Sequence, residues 1–180
     1  MPYKTVYSIA GQPPIDRVFL GISAGLLIAT FLVFLATNSP SGRYSLLAFT
    51  LLFILFTLVM PYWDHHRLVS KLSTPECKVS EGKIMGYWRK DWYQKDTHRS
   101  YSYESFRVDT VQFGYHRLVE MAGFHNAEAH HFPIQNGLIV RIYYVPERQV
   151  DDDSQVNRIL KLDTVTSQTI LQSTLTTVLQ

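Results

Sequence analysis

Histidine is the residue type here with the most chemical reach. The 180-residue chain carries seven. His65 and His66 follow a hydrophobic stretch, while His125, His130 and His131 crowd one segment together with Glu128. Imidazole and carboxylate suit zinc, nickel or copper. His125 and Glu128 are three residues apart and His130 and His131 are adjacent, so a loop could wrap His125, Glu128, His130 and His131 around one divalent ion. The spacing is not HExxH, and the single cysteine, Cys77, is remote. The plain alternative is a polar loop whose histidines face water or bond to backbone. The same side chains would also suit a pH sensor, since free imidazole titrates near pH ~6.5.

A second cluster mixes aromatics with cations. Tyr87, Trp88, Arg89, Lys90, Asp91, Trp92 and Tyr93 are consecutive. Tryptophan and tyrosine favour the headgroup zone of a bilayer, and basic residues attract anionic lipid. The same composition suits a stacking surface for single-stranded nucleic acid, or a strand end whose rings cover a small core. The charge balance weighs against nucleic acid. Lys and Arg total 17 and Asp and Glu 15, and from Asp64 onward the two signs cancel, 14 against 14. Arg141 lies in the most apolar segment of the second half and needs a carboxylate partner if buried; Glu104, Asp109 and Asp163 are the candidates. GxSxG, P-loop, Rossmann and HExxH patterns are missing, and neither Ser105 nor Cys77 has a base at motif spacing. The expected activity is therefore non-enzymatic, with a membrane-bound enzyme of unknown class as a further alternative.

The elements that carry these residues divide sharply. Residues 18–37 and 44–63 are uncharged and almost wholly apolar. Each is about the 20 residues needed to cross a ~30 Å hydrocarbon layer as a helix, and lipid offers the backbone no other partner. The turn-rich segment Asn38–Arg43 between them predicts an antiparallel hairpin. Tyr62 and Trp63 sit where interfacial aromatics belong, as Trp88 and Trp92 would on the headgroup reading. Gly21, Gly25 and Ala29 form a small-residue stripe on which the second helix, or another copy of the chain, could pack closely. Lys4 and Arg17 precede the first span, Arg67, Lys71, Lys78 and Lys83 follow the second, and only Arg43 lies between. The positive-inside rule then puts both termini in the cytoplasm. A cleaved signal peptide fits less well, because its apolar core would be shorter.

Beyond Pro75 the pattern becomes that of strands. Residues 103–115 alternate on both sides of Asp109 and Thr110, which reads as a hairpin. In the 137–145 segment Leu138, Val140, Ile142 and Tyr144 share one face, and Ile139, Arg141, Tyr143 and Val145 the other. Residues 157–164 read as a returning strand. The expected organisation is an N-terminal cytoplasmic tail over 1–17, a transmembrane hairpin over 18–63, and a juxtamembrane linker over 64–76. A β-domain over 77–163 and a polar tail over 164–180 complete it. The fold class is an α+β membrane protein: a two-helix hairpin followed by a small, mainly antiparallel sheet or partly open barrel.

The order of these pieces has a parallel. Glu81 and Gly82 open a strand, Glu104–Val108 enters a hairpin and Val111–Phe113 leaves it. Gly123 and Phe124 begin a loop holding His130, Pro133, Ile134 and Gly137, after which come Val140–Tyr144 and Arg158–Leu160. Over residues 77–163 this resembles a group of small bacterial inner-membrane proteins that carry a short β-domain on a hydrophobic hairpin and have no established activity. The resemblance implies a multi-pass location in the bacterial inner membrane and no catalytic residues. The functional expectation is an anchored interaction or assembly module with lipid and a membrane protein as partners, homo-oligomers being possible and nucleic acid not expected. A metal- or pH-responsive domain built on the 125–131 histidines is the alternative.

Overall fold

The computed structural model describes residues 3–37, 39–96, 98–117, 122–126, 132–148 and 155–165. The chain forms two compact units, one of Gln12–Arg67 and one of Met1–Gly11 with Leu68–Gln180.

The first unit is a helical hairpin. Helix α1 spans Arg17–Ala36, and the Asp16 carboxylate caps it by accepting from the Val18 amide at 2.7 Å, satisfying one of the free first-turn donors. Helix α2 spans Pro40–Ile54. It starts four residues before the apolar run because Pro40 supplies a helical φ at the first position, where no amide hydrogen is required. A π turn over Leu55–Val59 leads into helix α3, Met60–Lys71. Pro61 brings no amide hydrogen and its ring crowds the preceding turn, which widens to accommodate it. The helical run Pro40–Lys71 covers 32 residues. At 1.5 Å per residue that is about 48 Å, longer than a ~30 Å apolar layer. The polar stretch expected as a linker thus continues the helix, with Arg67 bonded to Asp64 at 2.6 Å one turn away. Leu20, Ile28, Phe31, Leu32, Phe49, Leu52 and Phe56 are all more than half exposed, so the hairpin buries little of its own apolar surface. Both helices are long and apolar enough to cross a bilayer.

The second unit is a six-stranded antiparallel sheet. Its strands are β1 (Tyr3–Ser8), β2 (Lys78–Gln94), β3 (Arg99–Val108), β4 (Val111–His116), β5 (Ile139–Arg148) and β6 (Gln155–Val165), in the spatial order β1-β6-β5-β2-β3-β4. The N-terminal segment expected as a tail is therefore an edge strand, with Tyr3 opposite Val165 and Ser8 opposite Lys161. The unit is assembled from chain on both sides of the hairpin. Strand β2 serves two neighbours: Lys78–Lys83 pairs with β5, and Ile84–Gln94 with β3. It bends between them at a bulge that includes Gly86, whose φ of 61° is one that glycine adopts freely. The β3–β4 turn falls at Asp109 and Thr110, as the alternation predicts, with Asp109 at φ 53°.

The core lies inside the curl of this sheet. Ile84, Phe106, Val108, Phe113, Val140, Ile142, Tyr144 and Leu162 fill it, closed by Phe124 and Ile134 from the connecting loop. On the opposite face Val145 and Leu160 pack with Ile9 and Leu68. The sheet stays open. Where β4 approaches β6, the bridge is a side chain, Asn157 Nδ2 donating to the Gln112 carbonyl at 2.8 Å. Close by, the Phe124 amide donates to the Ile159 carbonyl at 3.0 Å.

Candidate functional site

Glu104 belongs to the β3 face that also presents Phe106 and Val108 to the core, so strand alternation alone carries a carboxylate inward. It is 1% exposed. Such a group is stable only if its lone pairs are filled. The Tyr115 hydroxyl donates to Oε2 at 2.6 Å, the Asn126 side-chain amide donates to the same oxygen at 3.3 Å, and Arg117 Nε lies 3.3 Å from Oε1. Asn126 also ties the loop down: it accepts from the Phe132 amide at 2.7 Å and donates to the Phe132 carbonyl at 3.0 Å. Burial, and then the hydrogen bond to Glu104, hold the Tyr115 hydroxyl far above the usual tyrosine range. Burial raises Tyr87 as well, with the Glu104 charge adding to it. These groups satisfy one another and lock the loop to the sheet.

The opposite face of the same hairpin is an aromatic surface. Residues directly paired across strands share a face, so Trp88, Lys90, Trp92 and Gln94 of β2 lie with Ser105, Tyr103, Tyr101 and Arg99 of β3, and Tyr103 pairs on with His116 of β4. Trp92 stacks on Tyr101 with planes 15° apart and centroids at 5.6 Å. Trp88 meets Tyr103 at 5.5 Å, and His116 meets Tyr103 edge-on at 5.0 Å and Trp92 at 6.0 Å. These contacts carry the β2–β3 pairing out to Gln94 and Arg99, well beyond the strand ends that apolar alternation marks. Gly114 is required beneath them, because a Cβ there would collide with the Tyr103 hydroxyl. Asp91 and Arg89 point to the other face and pair at 2.9 Å.

At the seam between β4 and β6 lies a cavity of about 190 Å³, walled by Tyr103, Tyr115, His116 and Phe124 and bordered by Asn157 and Arg158. Gly123 makes it possible. Its φ is 117°, and a Cβ there would sit 3.0 Å from the Arg158 side chain. Arg158 pairs with Glu147 at 3.0 Å, both side chains mostly buried. The cavity lining mixes rings with a few polar groups, and its volume lies below the ~300–1,000 Å³ of pockets that enclose drug-sized ligands.

His125 bonds through Nδ1 to the Gly123 carbonyl at 3.1 Å, while Glu128, His130 and His131 lie outside the described residues. Among the described residues no three His, Cys, Asp or Glu side chains stand close enough to share an ion. Gly21, Gly25 and Ala29 face outward, and a Cβ on either glycine would meet nothing within 4 Å. The hairpin closes instead through buried Ser23, Thr30 and Thr50, with the two threonine hydroxyls 2.8 Å apart. At 3.6 residues per turn that contact lies about 180° around α1 from Gly21. Tyr62 and Trp63 are 50% and 75% exposed on α3. Arg141 is not buried and takes none of the three carboxylates expected. Its partner is Glu81, directly opposite on β2, at 2.7 Å. Tyr3 donates to the same carboxylate at 2.5 Å, and Arg141 stacks on the Tyr3 ring at 4.2 Å.

Glu104 as the buried centre was missed because its partners, Tyr115, Arg117 and Asn126, show no motif spacing. The inward parity of Glu104 with Phe106 and Val108 was the available signal. In comparisons with known proteins, no family model, no curated protein and no solved structure matches the chain.

Proposed function

We propose that this chain is a non-enzymatic, two-pass membrane anchor that presents its β-domain at the cytoplasmic face of a bacterial inner membrane as an interaction module. The observation that carries the reading is the pairing of β1 with β6. One strand precedes the apolar hairpin and the other follows it, and a ladder between them requires both to lie on the same side of any membrane. Two crossings meet that condition and one does not. The outward apolar surface of both helices supports lipid as its cover. The distribution of Lys and Arg supports the cytoplasmic side. The non-enzymatic part of the reading rests on the sequence, in which GxSxG, P-loop, Rossmann and HExxH patterns are missing. What the unit offers outward is surface: the aromatic face, the seam cavity and a sheet edge.

Reporters fused at Ser41 and Gln180 of the full chain test the topology. External activity at Ser41 and cytoplasmic activity at Gln180 are expected. A chain that stays soluble after cell breakage without detergent overturns the reading. Affinity isolation from membranes, with the full chain and with a hairpin-only control, tests the interaction role. Identical partner sets in the two would refute it.

A further inference from the structure

The aromatic face of the β2–β3 arm is more specific than its composition suggests. Lys90 and Arg99 flank the rings, Arg107 lies farther along the same face of β3, and the carboxylate of Asp91 is turned to the opposite face beside Arg89. Alternation has therefore sorted the charges, leaving the ring-bearing face cationic. Trp88 is 47% and Trp92 38% exposed, a large apolar outlay for a surface turned to water alone. The rings are also packed against each other. Trp92 stacks on Tyr101, and His116 meets both Trp92 and Tyr103 edge-on. Nucleobases need free ring faces to stack on, and the Trp92–Tyr101 stack already takes up one face of each of these two rings. What remains outward is a row of apolar bodies with polar tips, between cations. That combination fits the headgroup zone of a bilayer, where indole and phenol rings settle and Lys and Arg meet lipid phosphate.

We propose that this face of the arm lies on the anionic headgroup layer of the membrane, with Trp88, Trp92 and Tyr101 entering the interface and Lys90 and Arg99 contacting lipid phosphates. The inference rests on the two-pass anchor proposed above, which tethers the domain to the membrane. It gives the domain a second, electrostatically tuned attachment, one that salt or a fall in anionic lipid would loosen.

The chain has three tryptophans, Trp63, Trp88 and Trp92, so the test can use them one at a time. Full-length chains keeping a single Trp, with the other two changed to Phe, are reconstituted into vesicles whose acyl chains are brominated just below the headgroup. The Trp63 chain reports the anchor and should be quenched in any lipid. The Trp88 and Trp92 chains should lose roughly half their emission in vesicles rich in anionic lipid. They should recover most of it in zwitterionic vesicles, or when K90Q and R99Q are added. Quenched Trp63 with unquenched Trp88 and Trp92 in anionic vesicles overturns this inference and leaves the anchor standing. Unquenched Trp63 removes the anchor and this inference with it. Quenching of Trp88 and Trp92 that ignores lipid charge refutes the role of the two cations. Protection of these tryptophans by a single-stranded oligonucleotide, with no response to lipid, would make nucleic acid the occupant and refute the proposal.

Discussion

Substituting Arg117 by Met tests whether the Glu104 cluster holds the β-domain together. The two side chains are 8% and 1% exposed and meet at 3.3 Å. Removing the guanidinium strips Oε1 of its partner, while Tyr115 and Asn126 still donate to Oε2. Breaking a buried ion pair from one side costs about 3–5 kcal/mol. With two donors left on the carboxylate, the lower end applies, about 3 kcal/mol. Glu104→Gln breaks the pair from the other side: with its oxygen kept toward Tyr115, the new amide faces Arg117 donor to donor and the guanidinium loses its counter-charge, so the loss should be similar, about 3 kcal/mol. In the double variant no buried charge is left unpaired. The sum of the two single losses should therefore exceed the double loss by at least about 1 kcal/mol. Urea unfolding of the full chain in mild detergent, followed through the near-ultraviolet dichroism of its aromatic residues, measures all three. At roughly 4–8 °C per kcal/mol for a domain of this size, Arg117→Met should also lower the melting temperature by about 12 °C or more. A loss under about 1 kcal/mol for Arg117→Met, together with strict additivity in the double variant, would refute the reasoning.

Tyr7 and Tyr115 are both held protonated by burial, so the unfolded chain ionises near the ordinary value of 10.0 while the folded chain does not. Their contribution to stability is full below pH 10 and is lost above it, at about 1.4 kcal/mol per pH unit for each group. Tyrosinate absorbance should rise in a late step coincident with unfolding, and Tyr115→Phe should make that loss of stability less steep. At the other end of the scale, the Arg141 hydrogen bond, followed by that from Tyr3, holds the Glu81 carboxyl below its usual value of 4.5. The support it gives β1 is present above the unfolded carboxyl pKa and fades as pH falls. The protection of the Thr5–Ser8 amides, taken relative to their intrinsic exchange rates, should fall in acid, and Glu81→Gln should lower it in the same way at neutral pH; unchanged protection in the variant would dismiss the clasp. In the hairpin, Thr50→Val should cost about 1 kcal/mol in detergent, and adding Thr30→Val should cost little more, because the first change already removes the shared hydrogen bond. Gly21→Ala and Gly25→Ala should leave hairpin stability unchanged or slightly raised; a loss above about 1 kcal/mol would mean that a second copy occupies that face.

Features set by short-range pattern were legible in the chain. The two apolar runs announced helices because about 20 residues without charge admit few other structures. The Asp109–Thr110 turn followed from alternation on either side of it. The inward face of Val140, Ile142 and Tyr144 followed from a period of two. Helix ends were less legible, since Pro40 and the polar turns of α3 extend the second helix by capping and propensity instead of hydropathy. What tertiary structure alone decided is pairing at a distance. Nothing in Tyr3–Ser8 names Val165 as a partner, because a six-residue strand has no stability of its own and exists only through the edge it joins. Arg141 met Glu81 and not Glu104 because β2 and not β3 lies beside β5. Glu104 found Tyr115, Arg117 and Asn126 because a buried carboxylate must collect donors from wherever the fold brings them. Ser23, Thr30 and Thr50 closed the hairpin in place of the glycine stripe, since the rotation of one helix against another is set by the whole contact. Local periodicity is written residue by residue, whereas the choice among distant partners is made only by the free energy of the assembled core.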